Sequence, residues 1–196
     1  ADGDSSSDVC SSDLRSVGDP ASSGGWSMGP AGDVNGDGFA DVLLSDGTHD
    51  GDVEDQGLLQ LFLGHHDGLA TEASWSTLGP EDPDDGHDRP VTAGDVDGDG
   101  FSDIIVGAPA HDLDRGRLRC FHGGPQGVRE QAGWVTESNQ AGAAYGVSVA
   151  SAGDQNADGF DDVLVGAETY DNGQSNEGAV FLFLGGTPGP TWAPVW

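Results

Sequence analysis

The sequence predicts an all-β protein, a partial β-propeller of about three four-stranded blades. An acidic loop motif occurs three times, a similar set of short apolar runs accompanies each copy, and glycine accounts for 34 of the 196 residues. The first residues of the loops, Asp33, Asp95 and Asp154, are 62 (95 − 33) and 59 (154 − 95) positions apart. Four short strands in a unit of about sixty residues are typical of a propeller blade.

The first strand of each unit precedes its loop. Its clearest copy is residues 145–150, and a weaker copy is residues 24–29. The second copy, residues 86–91, contains Pro90, so we expect a shorter or irregular strand there.

Two further strands follow the loop in each unit. The runs that come directly after it are short and partly β-branched, which predicts strands buried on both faces. They are residues 42–44, 104–106 and 163–165. The next runs each end before a glycine and are residues 58–63, 117–122 and 179–184.

A fourth strand begins at a tryptophan, Trp75 in the first unit and Trp134 in the second. Trp192 and Trp196 mark the start of a further unit. We therefore divide the chain into a first blade at residues 15–78, a second at 79–137, and a third with the start of the next blade at 138–196.

The loop has the pattern Asp-x-(Asp/Asn)-x-Asp-Gly-Phe-x-Asp. Side-chain oxygens at positions 1, 3, 5 and 9 and the backbone carbonyl at position 7 suit Ca²⁺, which prefers oxygen ligands. The predicted ligands are Asp33, Asn35, Asp37, Phe39 and Asp41; Asp95, Asp97, Asp99, Phe101 and Asp103; and Asp154, Asn156, Asp158, Phe160 and Asp162. We predict three Ca²⁺ ions, the second bound most tightly because its side-chain ligands are all Asp.

The same motif has two other interpretations. The helix-flanked calcium loop is excluded, because it needs Glu at position 12, where this chain has Leu44, Val106 and Val165. Alternatively, Asp-Gly only forms hairpin turns and the acids are solvated. A turn does not need acids at four fixed positions in three copies, which favours the cation site.

Charge limits the partners. The chain has 35 Asp and Glu against 6 Lys and Arg, a net charge of −29. This excludes nucleic-acid binding through charge and favours cationic partners. No apolar run approaches the roughly 18 residues of a spanning helix, so we expect no direct membrane insertion. Cys10 and Cys120 are not expected to form a disulfide.

Two short motifs complete the pattern. Tyr145-Gly146 fills a Phe-Gly position, and Gly107-Ala108-Pro109 is an intact Gly-Ala-Pro. With the loops, they resemble the FG-GAP repeat of integrin α-subunit β-propellers and of bacterial secreted proteins, over about residues 15–196. The resemblance implies a seven-bladed ring with Ca²⁺ in inter-strand loops on one face and partner-binding loops elsewhere. Three blades do not close a ring, so either the chain is a fragment, which we expect, or several copies complete a ring.

The N-terminus has a different character. Residues 6–14 resemble a translated sequencing adaptor, so we interpret residues 1–14 as non-native or disordered. The true N-terminus and any signal peptide are then expected to be missing.

No motif indicates an enzyme. Nucleophile-elbow, zinc-protease and phosphate-cradling patterns do not occur in the sequence. His49 and His111 occupy the same repeat position, where the third unit has Tyr170, so we interpret them as structural. His65 and His66 are expected to be exposed in a turn. We predict no catalytic residue.

These observations predict a calcium-binding adhesion or ligand-binding module of a secreted or cell-surface protein, with an extracellular protein or glycan as partner. The alternative is an accessory glycan-binding propeller domain of a larger secreted enzyme. In that case Trp26, Trp75 and Trp134, if exposed, would stack on sugars. A purely structural role as a spacer is a third possibility.

Overall fold

The computed structural model describes residues 26–79, 89–191 and 193–194. Residues 1–14, the start of the predicted strand at 24–29, residues 86–88, and Trp192 and Trp196 therefore lie outside the described residues. Within those residues the regular secondary structure is almost all β, which confirms the predicted fold class.

Three antiparallel sheets follow one another along the chain. The first contains β1 (Trp26–Gly32), β2 (Asp41–Asp46) and β3 (Leu58–Phe62). After a small hairpin of β4 (Gly64–His65) and β5 (Gly68–Leu69), β6 (Trp75–Leu78) completes the order β1-β2-β3-β6. This up-and-down order is that of a four-stranded propeller blade.

The second and third sheets repeat this plan. The second sheet consists of β7 (Arg89–Gly94), β8 (Asp103–Ala108), β9 (Arg117–Phe121) and β10 (Trp134–Glu137), in that order. The third consists of β11 (Tyr145–Gly153), β12 (Asp162–Ala167) and β13 (Ala179–Phe183). A four-residue helical turn, α1 (His111–Asp114), lies between β8 and β9.

Pro90 lies within β7 and does not interrupt it. Pro90 is opposite Val106 of β8, and the register continues to Thr92 before it shifts at Gly94. Because β7 is an edge strand of its sheet, the missing N–H of proline need not remove a ladder hydrogen bond.

The cores lie between the sheets. Side chains alternate along β8, so Ile104 and Val106 join Leu43 of the first sheet, while Ile105 joins Val163 of the third. The runs after the acidic loops are thus buried on both faces in β2 and β8, as predicted. Each sheet depends on its neighbour to bury one face.

Tryptophans at the start of the fourth strands contribute to these cores. The ring of Trp75 packs edge-on against Phe121 of the next sheet, at 5.4 Å between centroids. Trp134 packs in the same way against Phe183 at 5.2 Å, and is only 2% exposed. Both rings therefore connect neighbouring blades.

The Gly-Ala-Pro and Phe-Gly motifs meet across the second and third sheets. A Cβ atom at Gly107 would overlap the carbonyl oxygen of Gly146, so the two backbones approach at a distance that only glycine permits. Gly146 itself has φ +87°, which also favours glycine. The two motifs thus form one inter-blade contact.

Substituting Gly107→Ala is therefore expected to lower the free energy of unfolding by about 1–3 kcal/mol, because the new methyl group forces the backbones apart. Gly124→Ala is the matched control, since its Cβ would have only one neighbour, at 3.7 Å, and is expected to change stability by less than about 0.5 kcal/mol. Urea unfolding followed by tryptophan fluorescence measures both. Equal losses would contradict the assigned contact.

Candidate metal centres

Each acidic loop joins the first and second strands of its sheet. Loop 1 (residues 33–41) connects β1 to β2, loop 2 (95–103) connects β7 to β8, and loop 3 (154–162) connects β11 to β12. The strand register shifts beside each loop, where glycine is opposite the position-9 aspartate. The three loops therefore occupy the same place in the three sheets.

Side chains at positions 1 and 3 converge in every loop. In loop 1 the N–H of Asp37 donates to Oδ1 of Asp33 at 3.1 Å and to Oδ1 of Asn35 at 3.0 Å. The N–H groups of Asp99 and Asp158 make the same pair of bonds in loops 2 and 3. In loop 2, carboxylate oxygens from positions 1, 3 and 5 lie within 4.8 Å of one another. The oxygens predicted at positions 1 and 3 thus converge in every loop, and those at positions 1, 3 and 5 lie together in loop 2.

The position-9 aspartates are buried and make structural hydrogen bonds. Asp41 is 1% exposed, and its carboxylate accepts the N–H groups of Val34 at 2.9 Å and Gly64 at 2.8 Å. Asp103 and Asp162 accept the equivalent pairs. Position 9 therefore fastens the loop to the end of the third strand, a role that the ligand pattern alone did not predict.

Burial also shifts the pKa of two of the loop carboxylates. It raises the pKa of Asp41, and the nearby carboxylates of Asp37 and Asp33 raise it further, while the bonds from Gly64 and Val34 oppose the rise. Burial, and to a smaller extent the negative charge of Asp103, likewise raise the pKa of Asp97. A cation at these points would relieve the carboxylate repulsion.

Neighbouring loops are joined to each other. The N–H of Ser102 in loop 2 donates to the Asp33 carbonyl in loop 1 at 2.9 Å, and its Oγ accepts the Asp33 N–H at 3.1 Å. Asp161 in loop 3 makes both bonds to Asp95 in loop 2, each at 2.9 Å. Position 8 of one loop therefore holds position 1 of the loop before it.

The position-7 rings reinforce this connection. A Cβ atom at Gly36 would lie 2.7 Å from the ring of Phe101, and Gly98 faces Phe160 in the same way. Phe39, in the first loop, is 40% exposed. The glycine at position 4 thus makes room for the aromatic ring of the following unit.

A histidine distinguishes loop 2. His122, directly after β9, is 2% exposed, and its Nδ1 lies 3.3 Å from Oδ1 of Asp103 and 3.4 Å from Oδ2 of Asp97. Contact with the Asp103 carboxylate raises the pKa of the imidazole, although burial opposes this. The other units have Leu63 and Leu184 at this position. Sequence reasoning missed His122, although a polar residue where its repeats have leucine was a usable signal.

The other histidines and cysteines noted in the sequence have separate surroundings. His111 is buried beside Glu137, with Nε2 3.5 Å from the carboxylate. His65 and His66 are exposed in the β4–β5 region, as expected. Cys120 is a free, buried thiol, whose pKa burial raises, and Cys10 lies outside the described residues.

The donors in loops 1 and 3 fit Ca²⁺. The gathered side-chain donors are carboxylate and amide oxygens, which hard divalent cations prefer. The residues that would hold the ion are those at positions 1, 3, 5 and 9, with the Phe carbonyl at position 7 as a further predicted ligand.

Comparison with known families agrees with this geometry. The FG-GAP repeat model matches residues 91–127 and 137–183, and the FG-GAP-like repeat model matches residues 33–106. The matched segments contain all three acidic loops. The chain belongs to the FG-GAP repeat family.

Among known proteins, this FG-GAP chain is similar to integrin α subunits. It is 33% identical to integrin alpha-5 of Xenopus laevis over 145 residues, which is 69% of this chain and 14% of that protein. It is 35% identical to integrin alpha-PS2 of Drosophila melanogaster over 117 residues, 53% of this chain and 8% of that protein. Integrin alpha-IIb of Mus musculus is 36% identical over 114 residues, 53% of this chain and 11% of that protein. The chain thus spans less than a sixth of these relatives.

The part of the FG-GAP chain that the structure describes contains no helix long and apolar enough to cross a membrane.

Measuring stability without metal separates the hydrogen-bonding role of the position-9 aspartates from metal binding. In chelator, Asp162→Asn is expected to lower the free energy of unfolding by about 1–3 kcal/mol, because an amide cannot accept both the N–H of Gln155 and the buried N–H of Gly185. Asp158→Asn, at an exposed site in the same loop, is expected to change it by less than about 0.5 kcal/mol. Thermal melting in EDTA measures both, and equal effects would contradict the structural role of position 9.

Proposed function

We propose that this FG-GAP chain is a calcium-stabilised adhesion or ligand-binding module of an extracellular or cell-surface protein. The observation that carries the proposal is the repetition of one loop geometry, with converging oxygens and bonds to the neighbouring loop, in all three units. In this arrangement a bound cation stabilises the contact between blades. It takes no part in a reaction.

The calcium concentration of a compartment determines whether the proposed sites are occupied there. Extracellular calcium modules bind with dissociation constants of about 10⁻⁴ to 10⁻³ M, so about 1 mM Ca²⁺ would stabilise the fold by roughly 0.4–1.4 kcal/mol per site. Sites of this affinity would be largely empty at cytosolic calcium. A secreted or cell-surface location therefore suits the proposed sites.

The similarity to integrin α subunits supports a binding role with an extracellular protein or glycan as partner. The net charge of −29 favours a ligand that presents cationic groups or reaches the protein through bound cations. An anionic membrane surface or nucleic acid would be repelled by that charge.

Packing of the tryptophans favours this proposal over the alternative of a glycan-binding domain attached to an enzyme. Trp134 is 2% exposed against Phe183, and Trp75 is partly buried against Phe121, so these rings serve the inter-blade cores. Trp26, which is 40% exposed, is the one of the three proposed sugar-stacking rings with substantial exposure.

Calcium is expected to raise the melting temperature relative to EDTA, because it binds the folded loops and not the unfolded chain. The matched variant Asp37→Asn/Asp99→Asn/Asp158→Asn removes one charged ligand from each loop and is expected to lose most of this increase. Its stability in EDTA should stay near that of the wild type. A wild-type midpoint that calcium does not move would contradict calcium stabilisation.

The binding role has a separate readout. Surface plasmon resonance against immobilised extracellular-matrix proteins and a glycan panel is expected to give a saturable signal in calcium. That signal should fall in EDTA and in the triple variant. A calcium-stabilised protein that binds no member of either panel would count against the adhesion role and leave the metal sites standing.

A further inference from the structure

Loop 2 differs from the other two acidic loops in that a buried imidazole faces its carboxylates. Nδ1 of His122 lies 3.3 Å from Asp103 and 3.4 Å from Asp97, and donor atoms of all three residues lie within 4.8 Å of one another. We propose that loop 2 is a mixed nitrogen–oxygen site that binds a first-row transition metal ion of the Zn²⁺ class through His122, Asp97 and Asp103. The inference rests on the proposed cation-binding role of the loops and assigns this one a different ion.

The distances suit such an ion. For metal–ligand bonds of about 2.0–2.1 Å, the edge of a coordination tetrahedron is about 3.3–3.4 Å. The two nitrogen–oxygen separations at His122 have this length. Neither ring nitrogen of His122 makes an aligned hydrogen bond, although the side chain is 98% buried. A buried imidazole without hydrogen bonds is costly unless another partner, such as a metal ion, takes its lone pair.

The surroundings hold the ring in place. A Cβ atom at Gly133 would overlap Cδ2 and Nε2 of His122, and one at Gly189 would lie 3.3 Å from Cε1. The residue at the position of Gly133, directly before the tryptophan of the fourth strand, is Ser74 in the first unit. Glycine thus occurs in the unit that has histidine in place of leucine.

The carboxylate ligands are also oriented. Asp103 accepts the N–H groups of Val96 and Gly123, both at 2.9 Å, which fixes the plane of its carboxylate. Such outer bonds orient metal ligands and are part of a working site. At position 5, Oδ2 of Asp99 lies 3.3 Å from Nη2 of Arg129. The guanidinium group therefore already supplies a positive charge to this carboxylate.

Ligand chemistry then selects the ion. Imidazole nitrogen suits zinc and related transition metals, whereas Ca²⁺ takes oxygen ligands almost exclusively. At the position of His122, loops 1 and 3 have the leucines Leu63 and Leu184, which offer no donor. The competing interpretation is that protonated His122 is itself the cation of loop 2 and excludes a metal.

The test is a calorimetric titration of the full chain with Zn²⁺ in calcium at about 1 mM. The His65→Leu/His66→Leu background removes an exposed histidine pair that could bind zinc on its own, since His65, His66 and Asp67 also form a cluster. In this background we expect one Zn²⁺ per chain. Adding His122→Leu should weaken that binding by about tenfold or more. The leucine matches the other two units, so the variant is expected to fold.

A second readout follows the ligand directly. Co²⁺ bound at the site should give visible absorption bands that disappear in His122→Leu. Zinc binding that His122→Leu leaves unchanged, or no zinc binding in the His65→Leu/His66→Leu background, would overturn the inference. Calcium stabilisation of the same protein is measured separately, so a failed zinc test leaves the proposed function intact. Conversely, a zinc site with no calcium stabilisation would contradict only the function.

Discussion

The hydrogen bonds between neighbouring acidic loops are the contacts on which the arrangement of the blades depends. Position 8 of one loop holds the backbone of position 1 in the loop before it, through Ser102 and Asp33 and again through Asp161 and Asp95. Each loop is also fastened to its own third strand by a buried aspartate at position 9. A change in loop geometry is therefore transmitted both within a blade and to the next one.

The apolar cores explain why this connection matters. The apolar face of a sheet is buried by the neighbouring sheet. In the second sheet, alternate residues of β8 point to different neighbours, so both faces depend on them. The loops hold adjacent sheets in register at one end, and Gly107 against Gly146 fixes the close approach of their backbones. Cations at the loops would act on this association, which is why we assign them a stabilising role.

The repeated pattern allowed the sheets to be predicted from the sequence and identified the acidic loops as candidate sites, because repetition distinguishes a site from a chance turn. Features that differ between units were harder to predict from the sequence. His122 was missed because its role comes from a three-dimensional contact with Asp97 and Asp103. The contact of Phe160 with Gly98 joins two units, and a reading of one unit at a time could not predict it.

Hydrogen exchange at the inter-loop amides tests the central claim most directly, because Ser102 and Asp161 donate the bonds that join the loops. If bound calcium holds the loops together, its removal should reduce protection of these two amides by about two- to tenfold, as expected for roughly 0.4–1.4 kcal/mol. Amides paired between β2 and β3 should change less. Equal protection of Ser102 and Asp161 with and without calcium would contradict the account.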